Sequence, residues 1–426
     1  IRAQASLHTH RQHGSSYSTN VSMMATLVAC VLIAFIATAG EAKHMPEDDA
    51  SSLHVLSFLT RAVEATLAVG EKANLCRQGR LMPELYLLGE QKAGTTSLAQ
   101  DLISVGASAA LQSNYSERSW WRPLSKGLGN RSYHWNFQSW CYASGVLCAT
   151  KERHFFNEWL ELYAPGDSRL TQDFLSDLPL CSERRRVMAD YTPGHLAMTP
   201  LPDGAVPSGA YAHIMGRALS HGTDLARMIS GLYGEDRRRI RFAVVLRSPL
   251  ARMQSAWYHA QKMDFKAICS DCKAPSFAAA LGASMIALEQ SFPQYHDWVW
   301  FSLASRQLEH WCRYFDARQF VVLGLLDYIR SGGTTTCAKL EEDLHAGWAC
   351  HEMHSASHHN AHSHPPLDRE PISEKARARI EELANEEARG LSRLLASMQS
   401  EGGKLVSYEG VRGSVDGVGA WLRRVW

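Results

Sequence analysis

The sequence predicts a three-layer α/β domain around a central parallel sheet, and two stretches of the chain carry this prediction. In the first, an apolar run of strand length at residues 85–88 breaks at Gly89 into a short polar loop, and a helical pattern follows from Leu98. In the second, the apolar run 242–246 is followed by Pro249, which suits the first turn of a helix. Each stretch therefore predicts a buried strand, a polar loop and a helix.

The remaining elements of the domain are predicted from periodicity. Residues 305–315 have the spacing of an amphipathic helix, residues 320–323 that of a further core strand, and residues 372–395 that of a charged amphipathic helix. The last residues of the chain are weakly patterned. We therefore expect a domain over residues 81–400 and a C-terminal tail over 401–426.

The charge balance argues against a polyanionic partner. The 44 Lys and Arg residues nearly match the 43 Asp and Glu residues, which gives a formal net charge of +1. No overall positive field recruits nucleic acid, so we expect no nucleic-acid partner. Two short basic runs, 184–186 and 237–239, are interpreted as solvated helix ends or loops.

An apolar segment near the N-terminus predicts a membrane anchor. Residues 23–39 are apolar or small apart from two threonines, basic residues precede them, and acidic residues follow. Such a run is at the short end for a spanning helix, and the preceding positive charge favours a cytoplasmic N-terminus. The prediction is a cytoplasmic tail at 1–22, an N-terminal transmembrane helix and type II signal anchor at 23–40, and a stem at 41–80.

A cleaved signal peptide is the alternative to the anchor. The segment Ala37-Thr38-Ala39 resembles a processing site, and cleavage after Ala39 would give a secreted form. Both interpretations send the rest of the chain into the secretory pathway. Asn114 and Asn130 begin N-glycosylation acceptor sequences in that exported part.

The cysteine content fits an exported protein. One of the ten cysteines, Cys30, lies in the apolar segment, which leaves nine and therefore at least one free thiol or intermolecular bond. Cys269 and Cys272 have the spacing of half a zinc site, but no second C-x-x-C completes it. A local disulfide between them is the simpler interpretation.

The loop after the first predicted strand has the chemistry of an anion site. A strand–loop–helix turn aims backbone N–H groups and the positive end of a helix dipole at one point. The order of residues in this loop differs from that of the nucleotide-triphosphate motif G-x-x-x-x-G-K-[ST], because the lysine precedes the second glycine. Glycine allows close approach, lysine adds charge and hydroxyls add donors. The residues predicted to contact the anion are Lys92, Ala93, Gly94, Thr95, Thr96 and Ser97.

This loop resembles the 5′-phosphosulfate loop, K-x-G-T-T-x-L, of the sulfotransferases that use 3′-phosphoadenosine 5′-phosphosulfate (PAPS). The matching residues are Lys92, Gly94, Thr95, Thr96 and Leu98. The resemblance implies a P-loop-like fold, PAPS as co-substrate and no metal. It also implies that Lys92 stabilises the charge that develops on the departing phosphate.

The second stretch resembles the other nucleotide motif of the same family, R-[ND]-P-x-x-R-x-x-S-x-[YF]-x-H. The matching residues are Arg247, Pro249, Arg252, Ser255 and His259. The chain departs from the motif at Ser248, where the family has Asn or Asp, and at Trp257, where it has Tyr or Phe. By resemblance, Arg247 and Ser255 hold the 3′-phosphate, a role that suits a guanidinium and a hydroxyl.

Residues 150–156 resemble the K-E-x-H-F-F stretch of the heparan sulfate sulfotransferases. There the glutamate is taken as the general base, so the resemblance makes Glu152 the group that deprotonates the acceptor. Lys151 would keep Glu152 ionised, and His154 is the reserve base. The alternative is that the stretch is only the solvated start of a strand.

Two further elements match the family poorly. Residues 188–195 resemble its acceptor element [KD]-x-[ST]-P-x-Y, but His195 stands at the aromatic position, so Asp190 and His195 are candidates only. Where the family has K-G-R-x-H-P closing over the nucleotide, this chain has residues 360–365 without Lys, Gly or Arg. Either His362 and its neighbouring histidines contact the phosphate less strongly, or the loop closes differently. The surrounding histidines are irregularly spaced, so we expect no metal site.

Together these resemblances imply a Golgi type II membrane protein with a lumenal sulfotransferase domain and a carbohydrate, glycosaminoglycan-like acceptor. Similar glycosaminoglycan sulfotransferases carry a late disulfide hairpin, which implies a bond between Cys337 and Cys350. Three alternatives stay open: sulfation of protein tyrosine, sulfation of a lipid, and a non-catalytic homologue that binds the nucleotide.

Overall fold

The computed structural model describes residues 73–109, 168–176, 178–200, 206–208, 224–262, 274–282, 294–296, 300–353, 365–366, 369–406 and 414–425. All of them belong to one compact unit, Lys72–Trp426. The predicted cytoplasmic tail and signal anchor lie outside these residues. Within the described ranges, no helix has an apolar stretch long enough to cross a membrane.

The centre of this unit is a six-stranded parallel sheet. In chain order the strands are β1 (Cys76–Arg77), β2 (Arg80–Leu81), β3 (Pro83–Gly89), β4 (Ser108–Ala109), β5 (Met188–Asp190), β6 (Val206–Ser208), β7 (Arg241–Leu246), β8 (Gln294–His296), β9 (Phe320–Gly324) and β10 (Lys404–Val406). The central sheet has the order β10-β9-β7-β3-β5-β4, and every neighbouring pair in it is parallel. β1 and β2 pair antiparallel, and β6 pairs with β8.

Eight helices of the described residues lie between these strands in the chain, and a ninth follows β10. They are α1 (Thr95–Ser104), α2 (Ser168–Ser176), α3 (Leu225–Tyr233), α4 (Pro249–Lys262), α5 (Ala304–Trp311), α6 (Leu325–Ser331), α7 (Thr334–Leu344), α8 (Glu374–Ser400) and α9 (Val415–Val425). The predicted strands correspond to β3, β7 and β9, and α4 begins at Pro249 as expected. The prediction of an α/β domain with a central parallel sheet is therefore confirmed.

Both faces of the central sheet are covered. Tyr86 and Leu88 of β3 join an apolar cluster with residues of α3, α4, α5, α8 and α9. Leu85 and Leu87 point the other way, into a cluster with residues of α1 and α7. Because successive side chains of a strand alternate between faces, a strand buried on both sides carries apolar residues in succession, as residues 85–88 of β3 do. The result is three layers, helix on sheet on helix.

The C-terminal segment differs from the expected tail. β10 extends the central sheet beside β9, with Lys404 opposite Val321. α9 packs on α8, and the buried Trp421 donates its indole N–H to Asp327 Oδ2 at 2.7 Å. A three-residue strand has too short a pattern to be recognised in the sequence, so the boundary drawn after residue 400 cuts off part of the core.

Two disulfides join described parts of this unit. The expected bond between Cys337 and Cys350 is present, and it ties α7 to the short helical turn Cys350–Glu352. A second bond, which the sequence did not indicate, joins Cys76 in β1 to Cys181 ahead of β5. Cys312 is a free thiol in the described part of the chain.

Candidate active site at two adjacent strand ends

The first half of the site is the loop that links β3 to α1. β3 ends at Gly89, and α1 begins at Thr95, directly after Gly94. Gly94 has φ +85°, and a Cβ there would lie 2.6 Å from Leu325 Cδ1 at the start of α6. Only glycine fits this conformation and this close approach, which explains the glycine of the motif. Lys92 and Thr96 are half-buried, whereas Thr95 is buried.

The second half of the site follows β7, the strand next to β3. β7 ends at Leu246, and the half-buried Arg247 and Ser248 precede α4. Ser248 accepts the first bond of this helix, from the N–H of Arg252 at 2.8 Å. Ser255, one turn further along α4, is half-buried as well.

The two halves are in direct contact. Arg247 Nη1 donates to the main-chain oxygen of Lys92 at 2.7 Å. Arg252 Nη1 donates to the main-chain oxygen of Gln91 at 3.3 Å, and its Nε donates to Ser302 Oγ at 2.5 Å. Two arginines of the second motif therefore hold the backbone of the first. The separation of roughly 150 residues between the motifs is closed by the pairing of β3 with β7.

Glu90 is also part of this junction, although the sequence motifs did not single it out. Its main-chain N–H donates to the Val245 oxygen at 2.8 Å, and its side-chain Oε2 accepts the N–H of Arg247 at 2.9 Å. The residue is only 3% exposed. The signal that could have identified it is an acidic residue inside a loop otherwise built from anion-binding groups.

Burial dominates the electrostatics of the junction. It raises the pKa of Glu90 to about 8, against the opposing effect of Arg252 and the hydrogen bond from the Arg247 N–H. Burial also lowers the pKa of Arg247 from its usual value, although the neighbouring Glu90 acts in the opposite direction. At neutral pH the carboxyl group is therefore mostly protonated, and the site carries the charge of its arginines.

The predicted acceptor element lies beside the first loop but inside the protein. Asp190 ends β5, and its Oδ1 accepts both the N–H of Thr192 at 3.1 Å and the Thr192 hydroxyl at 2.6 Å. A Cβ at Gly89 would lie 2.7 Å from the Pro193 oxygen, so this segment packs tightly on the end of β3. Asp190 and His195 are fully buried. Their predicted role in acceptor binding remains a prediction.

Part of the predicted closing segment reaches the second motif. The oxygen of Pro365 accepts a hydrogen bond from Gln254 Nε2 at 2.9 Å. Gln254 and Tyr258 of α4 also donate to Glu370 Oε1, both at 2.9 Å. The chain that follows residues 360–364 is thus fastened to α4 next to Ser255. His362 itself lies outside the described residues.

Several other predicted residues also fall outside the described part of the chain. They include the predicted base and its neighbours, the C-x-x-C pair and both glycosylation sites, namely Lys151, Glu152, His154, Cys269, Cys272, Asn114 and Asn130. Among the residues that the structure does describe, no group of three or more His, Cys, Asp or Glu side chains is arranged to hold a metal.

Comparisons with known proteins add little to this geometry. No protein-family model matches the chain, and no curated protein matches it significantly. Among solved structures, the chain is similar to a crystal structure of a sulfotransferase from Alicyclobacillus acidocaldarius, with 14% sequence identity and a TM-score of 0.38. This match covers 75% of the present chain and 99% of that chain. A likeness at this TM-score carries no argument about activity, which has to be inferred from the strand ends themselves.

Proposed function

We propose that the protein is a sulfotransferase that transfers the sulfonate group of PAPS to a hydroxyl or amine of a carbohydrate. The observation that carries this proposal is the bond between Arg247 Nη1 and the Lys92 oxygen at 2.7 Å. It brings the two PAPS-like motifs to one place, where a single nucleotide can touch both. If the motifs lay on separate faces, the 5′-phosphosulfate and the 3′-phosphate of one nucleotide could not reach both of them.

The side chains at the junction fit a doubly anionic nucleotide. The first loop offers the Lys92 ammonium, main-chain N–H groups at the start of α1, and hydroxyls of Thr95 and Thr96. The second offers the forked guanidinium of Arg247 and the hydroxyl of Ser255, both half-buried. Guanidinium and ammonium groups supported by hydroxyls are the donors that phosphate and sulfonate oxygens prefer.

PAPS, when bound, supplies a sulfonate group attached to a phosphate leaving group. Lys92 places a positive charge where negative charge develops on the leaving phosphate oxygen. Arg247 and Ser255 hold the phosphate on the far side of the ribose. By the resemblance of residues 150–156, Glu152 accepts the proton of the attacking hydroxyl or amine, and Lys151 keeps this carboxylate ionised.

The choice of a carbohydrate acceptor rests on two features. One is the K-E-x-H-F-F resemblance. The other is the disulfide between Cys337 and Cys350, which the resemblance to glycosaminoglycan sulfotransferases implied. We further propose a Golgi location with the catalytic domain in the lumen, because the N-terminal apolar segment, the disulfides and the glycosylation sequences agree with the secretory pathway.

A transfer assay with radiolabelled PAPS tests this proposal. The full-length protein is offered glycosaminoglycans, tyrosine peptides and glycolipids in parallel, and we expect label in the glycosaminoglycan alone. Label in the peptide or lipid would overturn the assignment of a carbohydrate acceptor, but the proposed sulfotransferase activity would stand. Binding of PAPS without any transfer would indicate the non-catalytic homologue, and the absence of binding would overturn the whole proposal. Lys339→Ala should transfer label as wild type does, because Lys339 is an exposed lysine that lies outside both motifs and pairs with Glu342.

A further inference from the structure

Glu90 occupies the point at which the two halves of the site meet. Its main-chain N–H bonds to β7 through Val245, and its side chain bonds to the N–H of Arg247, the first residue after β7. The same loop receives the guanidinium groups of Arg247 and Arg252 on its next two carbonyl oxygens. One buried side chain thus fixes where the second motif begins relative to the first.

The charge of Glu90 matters as much as its oxygen. Three charged groups act on this carboxyl: Arg252 of α4, Arg247 at the end of β7 and Glu387 of α8. An ionised Glu90 would weaken the field of both guanidiniums and repel a phosphate. A protonated Glu90 still offers an acceptor to the Arg247 N–H and leaves the guanidinium charge to an anionic ligand.

We propose that Glu90 is a positioning residue that serves the nucleotide site in its protonated form, so that binding of the nucleotide phosphates takes up a proton from solvent at alkaline pH. The proton adds to the Glu90 carboxylate, and no bond of the nucleotide changes. This inference deepens the proposed function and rests on it, because it assumes that the anion bound at this junction is a nucleotide bisphosphate.

The probe for this test is adenosine 3′,5′-bisphosphate, titrated calorimetrically into the full-length protein. The useful range is pH 7.5–9.0, above the second phosphate pKa of about 6, so that the ligand itself contributes little. With a Glu90 pKa of about 8, we expect the wild-type Kd to rise about eightfold across this range. Repeating the titration at pH 8.5 in buffers of different ionisation enthalpy should show an uptake of about 0.8 proton.

Glu90→Gln keeps an oxygen acceptor for the Arg247 N–H and removes the titration. We expect its Kd at pH 7.5 to lie within about threefold of wild type, with no proton uptake and a change of less than about twofold across the range. Glu90→Ala also removes the acceptor, and we expect its Kd to lie about tenfold above that of Glu90→Gln at every pH. If Glu90→Gln keeps the affinity at pH 7.5 and Glu90→Ala loses it, the side-chain oxygen of Glu90 positions the site.

Glu387→Gln is the matched control, because Glu387 is another buried glutamate with a raised pKa, of about 7. It should retain the proton uptake at pH 8.5. Uptake that persists in Glu90→Gln, or that disappears only in Glu387→Gln, would overturn the inference and leave the proposed function intact. A wild-type protein that binds no bisphosphate at pH 7.5 would overturn the proposed function and this inference with it.

Discussion

The two ends of β3 each bury a glutamate near two arginines, and the two arrangements differ. At the N-terminal end, Glu84 is 2% exposed and pairs directly with Arg185 and Arg239. It also accepts the N–H of Leu75 at 3.2 Å. At the C-terminal end, the arginines near Glu90 donate their side-chain N–H groups to loop carbonyls. At the N-terminal end the two arginines pair with a carboxylate. At the C-terminal end they donate to main-chain oxygens and hold the conformation of a loop.

The comparison shows why similar residues give a structural site in one place and a candidate ligand site in the other. A buried ion pair with its hydrogen bonds made cancels charge locally, which leaves little field for a ligand. A guanidinium that donates to a neutral carbonyl keeps its charge. Gly89 and Gly94 let the loop at this second end pack closely against Pro193 and Leu325, which fixes its conformation beside the arginines.

The largest expected effect is on stability, at the N-terminal end. Arg185→Ala removes two hydrogen bonds to Glu84 and one to the oxygen of Leu344. Because a buried carboxylate then loses its main partner, we expect the free energy of unfolding to fall by about 3–5 kcal/mol. Denaturant titration measures this change, and the folded fraction should bind adenosine 3′,5′-bisphosphate as wild type does. A loss below about 1 kcal/mol would place the pair among surface ion pairs instead.

At the C-terminal end, the largest expected effect is on turnover. Lys92→Ala should lower kcat by roughly 10²-fold or more, because the proposed function assigns to Lys92 the charge that stabilises the leaving phosphate. The free energy of unfolding should stay within about 0.5 kcal/mol of wild type, since Lys92 is half-buried in a loop. Steady-state kinetics with radiolabelled PAPS measures kcat. Unchanged turnover would contradict the assignment of Lys92.

Gly94, in the loop after β3, can be compared with Gly79, in the turn between β1 and β2. Gly94 and Gly79 both have left-handed φ, +85° and +74°, but a Cβ at Gly79 would meet no atom within 4 Å. Each change to Ala should cost about 1–2 kcal/mol of stability through the backbone. Only Gly94→Ala should also weaken bisphosphate binding, by about tenfold, because the loop must move away from Leu325. Equal binding by both variants would show that the loop conformation does not matter.

The last expected effect is a pH dependence of stability, which is spread over several pH units. Burial raises the pKa of Glu387 to about 7, against the opposing hydrogen bonds from Ser305. The folded protein keeps this proton while an unfolded carboxyl, with a pKa near 4.5, has lost it. Stability therefore falls as pH rises between about 4.5 and 7, by up to about 1.4 kcal/mol per pH unit.

Glu387→Gln should flatten this fall, as followed by thermal unfolding at several pH values. The fall expected from Glu90, which extends to its higher pKa of about 8, should remain in that variant. An unchanged profile between pH 4.5 and 7 would mean that Glu387 is ionised in the folded protein.

The sequence was sufficient for the parallel strands and for the meeting of the two motifs. Continuous apolar runs such as 242–246 can be buried only between two layers, and parallel neighbours bring their C-terminal ends to one edge. The disulfide of Cys337 with Cys350 followed from the family resemblance. These features depend on local pattern or on a short separation, 13 residues in the case of the disulfide.

Features that depend on distant partners and that no motif marks were not predictable. The basic runs 184–186 and 237–239 were interpreted as solvated, yet each supplies one arginine to Glu84. The bond between Cys76 and Cys181 spans 105 residues. The sequence pattern around a glutamate does not indicate which arginines lie near its side chain in the fold. This applies to Glu90 as well as to Glu84. Only the register of β3 against its neighbours brings these groups together.

The central claim is that two adjacent strand ends bind opposite phosphates of one nucleotide. Calorimetric titration of wild type and Arg247→Ala with adenosine 3′,5′-bisphosphate and with adenosine 5′-monophosphate tests it most directly. The account predicts that wild type prefers the bisphosphate by about tenfold or more, and that Arg247→Ala keeps only the small part of this preference, about threefold or less, that Ser255 supplies. An undiminished preference for the bisphosphate after the loss of Arg247 would contradict it.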